Sequence, residues 1–411
     1  MKKISISEIY YVLVALGYIA TLAFSGMRPG VFGAFLMALV LGELIFRRSV
    51  KFDCMSDFIA AAFFAYQVLS VIWLLAGGYP LGVYVNEFVS STLPMVFYFV
   101  GKSAGDDKSA VNVARWFKFY LVAMMLLGVL GVVMYICAPR FYINWAYAWS
   151  YISKADAATM RVRMHSVVGS TCLSFIMVAG MLAGSFFLAE SDEIGTGVSE
   201  KEGSRRNVIF AVIMIAACFL FAIMANQRSG LVAAGLVLVY INYLLFFRLD
   251  LIPKKYFLIE VAAIAVVFTG ISIVKLEYIL KFWYRIISLP TAISQRSEQW
   301  VAAVNNMYSS WIGNGLGANG HRAIGLEDAH VIADGGLVKL YCENGVIGFS
   351  LFLYLLILSL KCGFRNIRKH YVEVGIIVVG LLQSIGSNML AFQICAPVFW
   401  FAVGRCNRYS E

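Results

Sequence analysis

The stretch WFKFYLVAMMLLGVLGVVMYIC, Trp116 to Cys137, decides the fold, because it runs for 22 residues with a single charge, Lys118, near one end. A helix needs about 20 apolar residues to cross the ~30 Å hydrocarbon core of a bilayer. Working outward, the same pattern recurs at about 9 to 25, 31 to 46, 58 to 76, 83 to 101, 167 to 189, 208 to 225, 230 to 247, 256 to 274, 337 to 360, 372 to 387 and 389 to 404. Composition agrees: 61% of the 411 residues are hydrophobic, about 250, and 14% are charged, with a mean hydropathy of +0.81. A soluble domain is about a quarter charged. A single water-soluble globule and a disordered chain are both excluded. The predicted fold class is all-α: a polytopic integral membrane helix bundle of about 12 transmembrane helices, with a large outer loop containing short helices.

The basic surplus tests this topology. Lys plus Arg number 33 against 23 acids, a net +10, which in a soluble protein would point to nucleic acid. With the N-terminus inside, 21 of the 33 fall on cytoplasmic segments, from Lys2 and Lys3 to Arg405 and Arg408, as the positive-inside rule requires. The surplus is therefore topology, and no nucleic-acid partner is expected. The opening MKKISISEIYYVLVALGYIATLAF has no small-residue cleavage site after it and reads as a retained first span. The eight cysteines show no CxxC pair or metal spacing and read as small packing residues. In the last pair of apolar segments, QSIGSN from Gln383 to Asn388 marks either a tight hairpin or one broken helix.

The chain divides into helices one to nine over 1–274, with a smaller outer loop at 138–166, a large outer loop at 275–336, and helices ten to twelve with a cytoplasmic C-terminus over 337–411. The segment SDEIGTGVSEKEGSRRN after Ser191 reads as a solvated inner linker. An outer loop of about 60 residues is far above the usual length and normally carries function. Within it, Trp300, Val304, Met307 and Trp311 share one face of a helix predicted over Ser294 to Trp311. Gly315, Gly317 and Gly320 spell GxGxxG, but after a helix and outside, so no dinucleotide site follows. What remains is a backbone able to present N–H groups to an anion.

Five arginines, Arg161, Arg163, Arg228, Arg296 and Arg322, map to the outer face that the topology rule depletes. Arginine binds phosphate through a planar fork and stays charged, so the cluster suggests a phosphate or pyrophosphate ligand. Pairing with Asp156, Glu298, Glu327 or Asp328, or contact with lipid phosphate, is the structural alternative. His165, His321 and His330 lie on the same side, and a neutral imidazole is the commonest general base. Asp334, Lys339 and Glu343 fall at the outer end of the tenth span, where ionisable groups are functional candidates; an i,i+4 Lys339–Glu343 ion pair is the alternative there. Gly335, Gly336, Gly345 and Gly348 would permit close helix packing.

An ordered set of motifs resembles the O-antigen polymerases of Gram-negative bacteria, relatives of the O-antigen ligases. These are RxxSxxGST (Arg163 to Thr171), QRSG (Gln227 to Gly230), RxEQW (Arg296 to Trp300), GxGLGxxGHxA (Gly313 to Ala323) and DGGxxKLxxExGxxGF (Asp334 to Phe349). In the ligases the last motif usually reads His-Asn where this chain has Asp334-Gly335, which argues for polymerase over ligase. The resemblance implies an inverting glycosyltransferase of the inner membrane, facing the periplasm. It would join undecaprenyl-pyrophosphate-linked repeat units, with a chain-length regulator as a further partner. Arg228 and Arg296, supported by Arg161, Arg163 and Arg322, would hold the pyrophosphate. His321, His330 or Asp334 would be the base, with Glu343 and Asp334 orienting a cation or sugar hydroxyls. Neither nucleotide, redox cofactor nor metal is expected. The alternatives are a ligase transferring polymer to lipid A-core and a flippase of the same pathway.

Overall fold

The computed structural model describes residues 4–24, 28–105, 111–149, 151–152, 154–159, 163–193, 198–248, 289–326 and 329–408, with scattered positions between 253 and 287. Among these all regular structure is helical. The chain opens with α1 (Ile6–Ala20) and α2 (Pro29–Phe46), followed by α3 (Met55–Leu69), which continues almost directly into α4 (Val71–Ala76). Next come α5 (Leu81–Glu87) and α6 (Val96–Ser103), joined by a π turn over Phe88–Thr92 and a 3-10 turn over Leu93–Met95. Pro94 lies in that second turn and has no N–H to give a regular helix, which accounts for the irregular middle of this crossing.

The long α7 (Val113–Cys137) leads into two short helices, α8 (Pro139–Ala148) and α9 (Lys154–Thr159), over the smaller loop. Then follow α10 (Ser170–Glu193), α11 (Val198–Ala225), α12 (Arg228–Asn242), α13 (Leu289–Asn305), α14 (Gly336–Arg365), α15 (Ile367–Gly386) and α16 (Ala396–Cys406). The segment after Ser191, expected as a solvated linker, is helical to Glu193 and again from Val198, because its Glu, Lys and Arg residues are good helix formers. The predicted helix over Ser294 to Trp311 starts at Leu289 and stops at Asn305, where the chain turns into the glycine-rich loop.

Among the described residues eight helices are long and apolar enough to cross a membrane, so the molecule is a helical membrane protein. Apolar side chains such as Ile209, Val212, Ile213 and Leu220 line the outside of α11; a surface of that kind requires lipid. Of the remaining expected spans, α1, α15 and α16 lie outside that set of eight, and the expected span at 256–274 falls largely outside the described residues. The last apolar pair forms a hairpin: Glu373 near the start of α15 meets Arg405 near the end of α16, and Gly380 lies against Phe399 between them. Glycine permits the close backbone crossing of α6 and α16. A Cβ on Gly404 would lie 1.9 Å from the Tyr98 carbonyl, and one on Gly101 2.1 Å from that of Phe401. Trp116 stacks on Phe401 beside this crossing at 3.7 Å between ring centroids.

Candidate functional site

Loops and helix breaks gather at one end of the bundle, and α14 organises them. It starts after Gly335, whose φ of 128° only glycine adopts readily and whose added Cβ would lie 2.6 Å from the Trp300 indole nitrogen. Two turns on, α14 breaks at Gly345 (φ 59°, ψ −169°). The break frees the carbonyls of Cys342 and Glu343, which accept the N–H groups of Asn314 (2.9 Å) and Gly315 (3.0 Å). In exchange the N–H groups of Val346 and Ile347 donate to the carbonyls of Ser310 and Trp311. The glycine-rich loop is thereby laced into the helix.

That lacing changes the reading of the GxGxxG run. The N–H groups of Asn314, Gly315, Leu316, Ala318, Asn319 and Gly320 all donate within the protein, so they do not form an anion cradle. Gly315 and Gly317 serve packing: a Cβ on Gly315 would lie 2.5 Å from Leu74 Cβ, and one on Gly317 3.0 Å from the Val83 carbonyl.

Between the two breaks Lys339 and Glu343 face inward. Lys339 Nζ bonds Glu343 Oε2 at 2.9 Å, the expected i,i+4 pair, and also Glu87 Oε1 at 2.7 Å. All three side chains are buried. Glu343 Oε1 accepts the N–H of Asn319 at 3.3 Å. The Asn319 amide in turn donates to the His330 carbonyl and accepts from Asn314. Sequence reasoning passed over Glu87, although a lone carboxylate inside an apolar span was the signal that could have found it.

The arginines form an arc beside this trio. Arg296 on α13 pairs with Asp334 at 2.7 Å, both side chains about one third exposed. Its other terminal nitrogen reaches the Gly386 carbonyl at 3.5 Å, where the α15–α16 hairpin opens. These contacts use two of its five N–H donors. Trp300, one turn along, fixes the same segment by donating to the Asp334 carbonyl at 2.7 Å. Gly386 also neighbours Ser229, beside Arg228 at the start of α12. Arg228 is half-buried with no acceptor among the described residues. Arg163 completes the arc through a 2.8 Å bond to Gln227 Oε1. Arg161, Glu327 and Asp328 lie outside the described residues.

The three histidines differ. His165 is buried: its Nδ1 accepts the Ser170 N–H at 3.2 Å, its ring stacks on Tyr151, and its own N–H is held by the Tyr142 hydroxyl. It pins the smaller loop. His330 is half-buried and contributes its carbonyl to Asn319. His321 reaches solvent beside the exposed Arg322. Crowding by protein holds its pKa below the usual imidazole value; the Lys339 and Arg322 charges act in the same sense, and Asp334 and Glu87 oppose them. A neutral ring with access to solvent thus sits within electrostatic reach of both the trio and the arc. Among the described residues no group of three or more His, Cys, Asp or Glu side chains could hold a metal ion.

Comparison with protein-family models and with curated proteins finds no match to this chain.

Proposed function

We propose that the chain is a glycosyltransferase of the O-antigen polymerase type, which joins undecaprenyl-pyrophosphate-linked oligosaccharide repeats at the periplasmic face of the bacterial inner membrane. One observation carries the reading. Residues from all five motifs, separated by up to about 180 positions, meet at one end of an apolar bundle, where Arg228 has no acceptor among the described residues and Arg296 keeps three donors in reserve.

In the proposed reaction, neutral His321 takes the proton of an acceptor hydroxyl on the incoming repeat. That oxygen attacks the anomeric carbon of the donor glycan from the face opposite the pyrophosphate. The carbon–oxygen bond to pyrophosphate breaks and its electron pair leaves with the undecaprenyl pyrophosphate, so configuration inverts. Arg228 and Arg296 meet the charge that develops on the leaving group, with Arg163 and Arg322 at the flanks. Asp334 holds Arg296 in register, and Glu343 supports the loop through Asn319. The donor is already activated, so the reaction consumes no nucleotide.

The test is extension of purified lipid-linked repeats by the protein in vesicles, with and without a chelator. Ladders of polymer are expected in both arms, and they are expected to vanish in Arg228→Ala and Arg296→Ala at equal protein level. Normal ladders from both variants would remove the arginines from the mechanism. Transfer of preformed polymer to lipid A-core would identify a ligase, and translocation without new bonds a flippase.

A further inference from the structure

Measured from the opposite end of the bundle, part of the large loop lies lower than a surface loop should. At that end the exposed Lys361 of α14 and the Asp57–Lys102 pair of α3 and α6 mark the charged boundary. Ile347 is about 21 Å along α14 from Lys361 at the helical rise per residue, and its N–H donates to the Trp311 carbonyl at 3.1 Å. By the same rise Leu74 is about 25 Å from Asp57, and it presses on Gly315. A hydrocarbon core is ~30 Å thick. Two helices thus place the chain around Trp311 and Gly315 about 5–9 Å short of the far boundary, and tilting either helix only lowers it.

The surface there is of the kind that lipid covers. Trp311 and Tyr308 are 65% and 56% exposed. The helix that holds Trp311, α14, exposes Val346 and Ile347 beside it and Tyr354 and Ile357 farther down. The helix that meets Gly315, α4, exposes Ile72 and Leu75, so apolar exposure continues on both supports to the height of the loop. Trp and Tyr concentrate where acyl chains meet headgroups. Asn305 and Asn306, exposed just before the tip, mark where the chain descends from the headgroups, and Ser310 between the two rings adds one small hydroxyl.

The backbone fits the same place. Irregular chain persists at membrane depth only where protein meets its polar groups. The Tyr308 N–H donates to Asn314 Oδ1, that of Trp311 to Ser309 Oγ and that of Gly313 to the Ser309 carbonyl. The Ser310 and Trp311 carbonyls accept from Val346 and Ile347. The Tyr66 hydroxyl is shared between the carbonyls of Ile312 and Asn344 at 3.0 and 2.8 Å. The lacing that leaves no anion cradle is what a loop within lipid needs.

We infer that Tyr308 to Ile312 form a re-entrant tip whose aromatic side chains insert among the acyl chains of the leaflet at the loop end, so that lipid is the partner of this surface. Its continuity with the lipid-facing sides of α14 and α4 selects lipid over a second copy of the chain or a soluble protein. The same rise puts Lys339 about 33 Å from Lys361, at the boundary itself. The tip therefore anchors the glycine-rich loop, and His321 at its end, at headgroup height. The inference does not depend on the proposed reaction.

The experiment is tryptophan fluorescence of the full chain in phosphatidylcholine vesicles. Subtracting the emission of Trp311→Phe from that of the unsubstituted chain isolates Trp311 from the other tryptophans. Lipid brominated on the acyl carbons nearest the glycerol is expected to remove most of this emission, lipid brominated near the chain ends less of it, and aqueous iodide little. Tyr308→Trp alone, read as a gain over the unsubstituted chain, reports the same depth should Trp311→Phe not fold, and its added emission should be quenched in the same order. Emission lost to iodide and untouched by brominated lipid would put the tip in water. Emission shielded from both quenchers would mean that protein covers it, in a second copy or another partner. Either result would overturn the inference.

Discussion

The two ends of the bundle use charge differently. At the end where α1, α3, α7 and α15 begin, the buried carboxylates are met by helix-capping N–H groups, by cations or by both. Asp57 accepts the N–H groups of Asp53 and Cys54, the Tyr98 hydroxyl and the Lys102 ammonium. Glu8 closes the capping box of α1 and takes the Asn112 N–H and the Arg115 guanidinium. Glu373 is met by Arg405, which also donates to the Ala104 carbonyl. At the loop end, by contrast, Arg228 and Arg322 have no acceptor among the described residues, Arg296 is half committed, and the trio carries two carboxylates for one ammonium. The buried carboxylates of the first end are met by cations and N–H groups, whereas at the loop end a half-buried arginine and a buried carboxylate pair keep unused capacity.

The largest expected effect comes from removing the cation each end relies on. Lys339→Met leaves two buried carboxylates facing each other and should cost about 3–5 kcal/mol, enough to lose most folded protein. Lys102→Met should cost less, about 1–3 kcal/mol, because Asp57 keeps three other donors. Unfolding midpoints of the two purified variants check this. Equal losses would erase the asymmetry between the ends.

Arg296→Ala separates function from stability. Its partly exposed pair with Asp334 is worth about 1 kcal/mol or less, so the fold should survive. A donor aimed at developing charge is worth roughly 10²–10³ in rate, so polymer formation in the vesicle assay should fall by about that factor. Full activity in this variant would dismiss the arc as a leaving-group site.

Much of this arrangement was legible. The positions of the eight long apolar helices follow from length and apolarity, and the arginines stood out by mapping to the side that the expected topology depletes. The Lys339–Glu343 pair follows from i,i+4 spacing. Its third member did not, because Glu87 meets Lys339 across 252 positions, a separation no local pattern encodes. The glycine run misled for the same reason. Whether the N–H groups of Asn314 and Gly315 are free depends on Gly345 breaking a helix about thirty residues later, and on Leu74 pressing against Gly315. Orphan acceptors such as Asn388 Oδ1 cannot be read from sequence either, since they are defined by what does not reach them.

His321 gives a smaller effect with a definite sign. Its pKa lies below the ordinary imidazole value of about 6.5, with crowding by protein as the first cause. The folded state therefore binds this proton less readily than the unfolded chain, and the corresponding stability is present above pH 6.5 and lost as pH falls through the lowered pKa. If the ring is the base, the acid limb of the activity profile lies below pH 6.5 and disappears in His321→Gln. A limb unchanged in that variant would move the base to His330 or Asp334.

The smallest effect belongs to the capping end. Arg47 meets Glu43 at 3.1 Å with over a third of its side chain exposed, and Glu43 keeps the N–H and hydroxyl of Ser7 at 3.1 and 2.8 Å. Arg47→Ala should therefore cost about 0.5 kcal/mol or less. Orientation should hold, because Arg48 and Lys51 remain on the same segment. Polymer length should match the unsubstituted protein in the assay where Arg296→Ala fails. The pairing of these two variants is the sharpest test of the comparison: if losing an arginine from the saturated end shortens the polymer as much as losing one from the arc, the unused capacity at the loop end has no special claim on the chemistry.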